Sequence, residues 1–374
     1  MSSVLRESPS WGTASVRSIQ PYVGGRPISE VAREFGLDPG AIVKLASNEN
    51  PLGMSASARQ AMLDAASEAG RYPDNDAFEL RQALADHLGV DASWVALGHG
   101  SSDILEMAAR ALLGEGDSCV YSQYGFVVYA SAVQQRAARH IVVPAREFGH
   151  DLPAMAAAID ASTRLVFVAN PNNPTGTLAS PERIERFVRS VPERVVIVLD
   201  EAYVEYLDDS LQRSSLELLR RHPNLVVSRT FSKAYGLAGL RIGYCAAQPA
   251  LIDVLNRVRS AFNTGNTAQA AALAALRDQD FVRRSVEVNR AGMRQLEAGI
   301  DELGLQRVPS HGNFLLLRVG DDSGAGSRVA RAMLALGVIV RPVDNYGLGA
   351  WLRISVGTEA ENSRCLAALR QALA

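Results

Sequence analysis

Cysteine is scarce in this chain of 374 residues: Cys119, Cys245 and Cys365 lie far apart and show no CxxC spacing. That excludes a disulfide framework, argues against a thiolate zinc site and fits a reducing compartment. The six histidines have neither HxxxH nor HExxH spacing, so the usual helical metal motifs are missing too. Nor is there an excess of charge. Lys and Arg number 38 against 40 Asp and Glu, a formal net charge of −2, which provides no overall field to draw nucleic acid or an acidic membrane. No apolar run approaches the ~18 residues of a membrane span. Residues 1–18 are polar, mixed in charge and without the apolar stretch of a secretory signal. A cytoplasmic protein with no nucleic-acid or membrane partner is expected.

What is present is a composition 47% hydrophobic and 21% charged, ordinary for a globular protein, and enough chain for two or three domain-sized units. Residues 94–230 repeat one pattern, a short β-branched run, then turn residues, then helical spacing. Strands are expected at 94–97, 118–121, 165–168, 195–199 and 225–227. Their continuous apolar character implies burial on both faces, hence an α/β unit with a mainly parallel sheet flanked by helices. After Gly265 the pattern changes to one long helical stretch, 267–303, followed by strands at 314–317, 338–340 and 352–355, which describes a smaller α+β domain. Pro21, Pro27, Pro39 and Pro51 punctuate the start, so an extended arm with one short helix at 28–35 is expected there. The resulting division is an arm at 1–47, a large domain at 48–265 and a small C-terminal domain at 266–374.

In open parallel sheets ligands bind beyond the carboxyl ends of the strands, and four of these strands end in polar, turn-forming residues. Gly98-His99-Gly100-Ser101-Ser102-Asp103 precedes a helical run; backbone N–H groups, hydroxyls and a helix N-terminus suit a phosphate, though a loop with an N-cap has the same composition. Asn170-Pro171-Asn172-Asn173-Pro174-Thr175-Gly176-Thr177 is a stiff turn in which Asn173 either donates to a ligand oxygen or forms an Asx turn. Asp200-Glu201-Ala202-Tyr203 places a carboxylate at the end of an apolar strand, as a partner for a protonated ring nitrogen or as an N-cap. Thr230-Phe231-Ser232-Lys233, with Arg241 eight residues on, puts a lysine where burial and a nearby cation lower its pKa and favour the neutral amine. Phosphate cradle, ring-oxygen donor, ring-nitrogen partner and imine-forming lysine are together the groups that pyridoxal phosphate requires.

At these residues the chain resembles the fold-type I, aspartate-aminotransferase-like pyridoxal-phosphate enzymes, and within them the histidinol-phosphate aminotransferases. The likeness runs from about Pro21 to Asn362, through Lys44-Leu45-Ala46-Ser47-Asn48-Glu49-Asn50-Pro51, Arg71-Tyr72-Pro73-Asp74, the segments above, and Leu352-Arg353-Ile354-Ser355-Val356-Gly357-Thr358. The resemblance implies a seven-stranded large-domain sheet and a homodimer with shared active sites, the arm packing partly on the small domain and the partner. It implies that Lys233 links pyridoxal 5′-phosphate and moves the proton. Asp200 is expected to pair with the pyridine nitrogen, and Asn173 and Tyr203 to bond the phenolic oxygen. Ser101, Ser102, Thr230, Ser232 and Arg241 are expected to hold the phosphate, Tyr124 to stack on the ring, and Tyr72 to reach the phosphate in the partner subunit. Arg353 is expected to grip the substrate α-carboxylate, Arg341 and Tyr22 to bind the substrate phosphate, and Asn173 to contribute to substrate binding.

The implied reaction is transamination between histidinol phosphate and 2-oxoglutarate, in histidine biosynthesis run towards histidinol phosphate. Departures exist: His99-Gly100-Ser101-Ser102 and Ser122-Gln123-Tyr124 differ from the family's commoner forms, and residues 342–351 are more aromatic and less basic than a phosphate site requires. They leave an aromatic-amino-acid aminotransferase as the alternative, with a threonine-phosphate decarboxylase on the same fold. An NAD-dependent dehydrogenase is suggested by Gly98-x-Gly100 but disfavoured, because Asp103 replaces the third glycine of that fingerprint. A non-enzymatic scaffold is disfavoured because all the catalytic groups are present.

Overall fold

The computed structural model describes residues 11–21 and 23–374. Its largest sheet has seven strands, in the order Val95–Gly98, Gly243–Ala247, Leu225–Thr230, Val196–Asp200, Thr163–Ala169, Ser118–Ser122 and Arg139–Val143. Gly243–Ala247 runs antiparallel to both neighbours, while the other adjacent pairs are parallel. Six strands therefore point the same way. Alternate strand residues feed opposite cores: Val166, Val168, Ile197 and Leu199 join one, Leu165, Phe167, Val196 and Val198 the other. This two-sided burial follows from the unbroken Val/Ile/Leu runs, since successive side chains leave a strand on opposite faces.

Two strands escaped the sequence pattern. Arg139–Val143 is the sheet's edge, and its mixed burial reads as polar chain. Gly243–Ala247 is fully buried but built from small residues and one tyrosine, without the β-branched run that marks its neighbours. Leu225–Thr230 also extends three residues beyond its apolar part, and Ser228, Arg229 and Thr230 are all buried.

The second sheet is antiparallel, four-stranded, ordered Arg341–Pro342, Trp351–Ser355, Phe314–Arg318 and Arg307–Val308. Helices Gln279–Glu302, Ala325–Ala335 and Glu359–Leu373 supply side chains to its core. The expected 338–340 strand is divided: Val338–Ile339 pairs in parallel with Val43–Lys44, and Arg341–Pro342 joins the four-stranded sheet. The early segment is thus stitched to this unit, and Ser355 N donates to Leu45 O at 2.9 Å. The short helix lies at Ile28–Phe35 as expected, stopped by Gly36 at φ 66° in the left-handed region. Among the described residues no helix is long and apolar enough to cross a membrane, and no group of three or more His, Cys, Asp or Glu is placed to hold a metal.

The long helix expected at 267–303 is two helices, Asn266–Arg277 and Gln279–Glu302. Asp278 separates them: Oδ1 accepts from Phe281 N at 3.1 Å, capping the second helix, and Oδ2 accepts from Ser57 Oγ at 2.9 Å. Helical spacing continues across this break, which is why periodicity alone missed it. Asp278→Ala is expected to lower stability by about 1 kcal/mol, the usual cost of a lost cap, read as a lower urea midpoint at unchanged m.

Candidate active site

The carboxyl ends of the parallel strands and the start of Gly243–Ala247 meet at one edge of the large sheet, facing the small one. Between them lies a cleft of about 1420 Å³. Ser101, Ser102, Asn173, Asp200, Tyr203, Thr230, Ser232, Lys233, Arg241, Arg341 and Arg353 all line it. Eleven residues drawn from separate loops thus share one space.

Lys233 follows the end of Leu225–Thr230 by three residues, and its Nζ donates to Ser47 O at 3.2 Å. Burial, then the Arg353 guanidinium, lower its pKa to about 7, with Arg241 adding in the same direction and Glu49 and Asp200 opposing. Asp200 ends its strand at 4% exposure and is pushed up to about 6 by burial. Its Oδ2 accepts from Tyr129 Oη at 2.9 Å, whereas Oδ1 has no hydrogen-bond partner among the described residues. A buried carboxylate oxygen left without a donor fits a ligand that brings one, such as a protonated ring nitrogen.

The other end of the cleft suits an anion. Helix Ser101–Leu112 begins there, directly after Gly100 at φ 81°. A Cβ at Gly100 would lie 2.4 Å from Arg241 Nη2, so the missing side chain is what lets that guanidinium close on the loop. Arg241 Nη1 donates to Ser232 Oγ at 3.4 Å and to Ala238 O at 3.0 Å, and Thr230 Oγ1 donates to Ser232 Oγ at 3.0 Å. Hydroxyls, a helix N-terminus and a guanidinium at one end, with the unsatisfied carboxylate oxygen and the low-pKa lysine elsewhere in the cleft, fit the phosphate, ring and aldehyde of pyridoxal phosphate.

Arg353 is 8% exposed; Nη1 donates to Asn173 Oδ1 at 2.5 Å and Nη2 to Ala46 O at 2.8 Å. Asn173 is therefore oriented by the arginine, with Nδ2 remaining as its donor. Arg341 stands directly opposite Arg353 in the antiparallel pair, and its Nη2 donates to Val23 O at 2.7 Å. Tyr203 Oη accepts from Asn48 Nδ2 at 2.9 Å, and its hydroxyl pKa is raised to about 12, chiefly by burial.

One expected ring contact lies elsewhere. Tyr124 is not among the lining residues: it stacks on Phe148 at 6.0 Å between centroids, and Phe126, two residues on, lines the cleft instead. The tight turn from Ser122, closed by Gly125 N donating to Ser122 O at 2.8 Å, sets which of the two aromatics faces inwards. Tyr72, expected to reach the cofactor phosphate of the partner subunit, is 82% exposed and stacked on Phe262 at 4.5 Å. Tyr22 lies outside the described residues.

Asn48 and Tyr129 were missed as site residues by sequence reasoning. Nothing in its motif singles out Asn48, yet its backbone N–H donates to Ser355 Oγ at 2.8 Å, so this residue links the small sheet to Tyr203. Tyr129 sits in a helix with nothing in its spacing to single it out.

This geometry has close relatives. The chain belongs to the aminotransferase class I and II family, whose profile matches residues 41–369. Within that class it belongs with the histidinol-phosphate aminotransferases. It is 60% identical over 363 residues to histidinol-phosphate aminotransferase 1 of Cupriavidus pinatubonensis, covering 97% of this chain and 96% of the relative. It is 59% identical to histidinol-phosphate aminotransferase 2 of Ralstonia nicotianae, covering 97% of each. Among solved structures it resembles the histidinol-phosphate aminotransferase of Sinorhizobium meliloti in complex with pyridoxal 5′-phosphate, at TM-score 0.90 and 31% identity, covering 97% of this chain and 98% of that one.

Gly243 offers a test of the anion end. A Cβ there would lie 2.6 Å from Ser101 N and 2.7 Å from Gly100 C, both backbone atoms. Gly243→Ala is expected to displace the loop and weaken pyridoxal phosphate binding about tenfold, a loss of ~1.4 kcal/mol, measured by fluorescence titration.

Proposed function

We propose that this enzyme transfers an amino group from glutamate to imidazole-acetol phosphate, giving histidinol phosphate and 2-oxoglutarate, with pyridoxal 5′-phosphate in the cleft. The single observation that carries the phosphorylated substrate is the juxtaposition of Arg341 and Arg353 across two antiparallel strands. A dianionic phosphate beside two guanidiniums would accept charge-assisted hydrogen bonds from their N–H groups.

When bound, the cofactor supplies the electron sink for the transfer. The chain's own groups do the rest. Ser101, Ser102, Thr230, Ser232 and Arg241 would hold the phosphate, Asn173 Nδ2 and Tyr203 Oη the phenolic oxygen, and Asp200 Oδ1 the ring N–H, a charge-assisted contact worth roughly 1.5–3 kcal/mol. Lys233 Nζ, brought to about 7 by burial and cationic neighbours, carries and releases a proton at near-neutral pH. Phe126 takes the lining position expected of Tyr124.

A second reading, an aromatic-amino-acid aminotransferase, is favoured by Phe126 and Tyr346 in the lining. A panel of keto acceptors with glutamate as donor separates the two. Imidazole-acetol phosphate is expected to exceed phenylpyruvate in kcat/KM by at least about tenfold, ~1.4 kcal/mol, and Arg341→Gln to remove that preference. The opposite order moves the assignment to the aromatic enzyme.

The exposed Tyr72–Phe262 stack and the 69% exposed Phe78 favour a homodimer in which Tyr72 reaches the partner's cofactor phosphate. Sedimentation at twice the 40.1 kDa chain mass is expected; a monomer at micromolar concentration contradicts this.

A further inference from the structure

Asp200 has two oxygens in different situations, and one residue accounts for the difference. Tyr129, in helix Val127–Gln135, is fully buried and donates to Oδ2 at 2.9 Å. Its ring stacks on Phe167 at 4.6 Å with 6° between planes, and packs edge-on against Phe126 at 6.1 Å. Gly125 allows this approach, for a Cβ there would lie 3.0 Å from Tyr129 Cδ2. The start of the helix is held by the Val127 N–H, which donates to Tyr346 Oη at 3.3 Å. A ring clamped this firmly delivers its hydroxyl to one place.

We propose that Tyr129 is a positioning residue for the reaction: by donating to Asp200 Oδ2 it fixes the carboxylate and leaves Oδ1 for the protonated ring nitrogen of the cofactor. The proposal rests on the reading of Asp200 given above and extends it to a residue outside the cleft lining. The direction of the bond is set by physical chemistry. Burial, and then the neighbouring Asp200 charge, hold the Tyr129 hydroxyl pKa well above its ordinary value, so the proton stays on the phenol. A phenol that keeps its proton donates a hydrogen bond to the carboxylate and so favours the ionised form.

That matters because Asp200 is otherwise poorly solvated. Burial pushes it up to about 6, while the Tyr129 hydroxyl and the Ala202 N–H oppose the rise. The other titratable groups acting on it are Glu201, which raises its pKa, and Lys233, which lowers it, while Tyr203 is also coupled to it. Its folded value lies above the unfolded one, so the ionised form is present above about pH 6 and lost below. Removing the hydroxyl moves that limit upwards, and less carboxylate remains ionised near neutrality.

Lys233 titrates in the same range, so the test uses Lys233→Ala protein; the cofactor's own phosphate and ring-nitrogen titrations are common to the proteins compared and cancel in the ratio of their affinities. Dissociation constants for pyridoxal phosphate are measured from pH 5.5 to 8.5 with and without Tyr129→Phe, which keeps the ring and its stack. The expected result is affinity up to about threefold weaker at the acid end, a smaller loss at pH 8.5, and an acid limb moved up by roughly half a pH unit. Tyr121→Phe removes a neighbouring buried hydroxyl that bonds His140 and not Asp200, and is expected to leave the limb where it was. An unmoved limb in Tyr129→Phe, or an equal shift in Tyr121→Phe, overturns the proposal. Asp200→Asn separates the two levels. If it retains the parent affinity and pH dependence, the reading of Asp200 itself fails; if it loses both while Tyr129→Phe changes neither, only the role of Tyr129 falls.

Discussion

A carboxylate at the end of a fully buried strand has to be matched by donors, and the ground around Asp200 is shaped by that requirement. Stranding an ionised carboxyl in an apolar interior costs several kcal/mol unless hydrogen bonds or a counter-charge compensate. The strand provides the burial, Tyr129 satisfies Oδ2, and Oδ1 is left to an incoming donor. Lys233 presents the complementary problem from the neighbouring strand. Its desolvation lowers an amine pKa, and Arg353 lowers it further, so both groups are held close to neutrality by the same burial. Burial at the strand ends thus sets the protonation of both groups.

Behind the cleft a second buried charge cluster ties these strands together. Arg229 Nε donates to Glu201 Oε2 at 2.9 Å and its Nη2 to Gln212 O at 2.6 Å. Glu201 follows Asp200 and Arg229 lies four residues before Lys233, so this ion pair joins the two strand ends that carry the chemistry. Breaking such a buried pair costs roughly 3–5 kcal/mol, since it leaves one charge uncompensated. Glu205, pushed up to about 7 by burial, lies within reach of the same arginine's charge. Across the cleft the small sheet offers its own concentrated charge in Arg341 and Arg353. The residues proposed for the cofactor gather on the large sheet and the arginines proposed for the substrate on the small one, with Asn48 bonded to both Tyr203 and Ser355 across the join.

Much of this was legible in the chain because local physics wrote it there. Apolar runs marked the inner strands, and the residue after each run marked the cleft: Ser101, Asn173, Asp200 and Lys233 are found where strand ends must be. The sheet edge and the small-residue strand Gly243–Ala247 carried no such signature, since one is half exposed and the other packs by closeness. Contacts between distant segments were equally silent. Asn48 meets Tyr203 across 155 positions and Tyr129 meets Asp200 across 71, and nothing local requires either pairing. The Tyr124 and Phe126 exchange shows a finer limit, because which aromatic faces inwards depends on a turn that family resemblance does not resolve.

The chain has only two lysines, Lys44 and Lys233, which makes the central claim unusually open to direct measurement. Lys44 is engaged with Glu49 at 3.2 Å, whereas Lys233 lines the cleft. Borohydride reduction of the holoenzyme, followed by proteolysis and mass spectrometry, locates the amine bonded to the cofactor. The structure predicts a phosphopyridoxyl group on the peptide bearing Lys233 and none on that bearing Lys44. A label on Lys44, or an unlabelled Lys233 in fully loaded protein, would contradict the account.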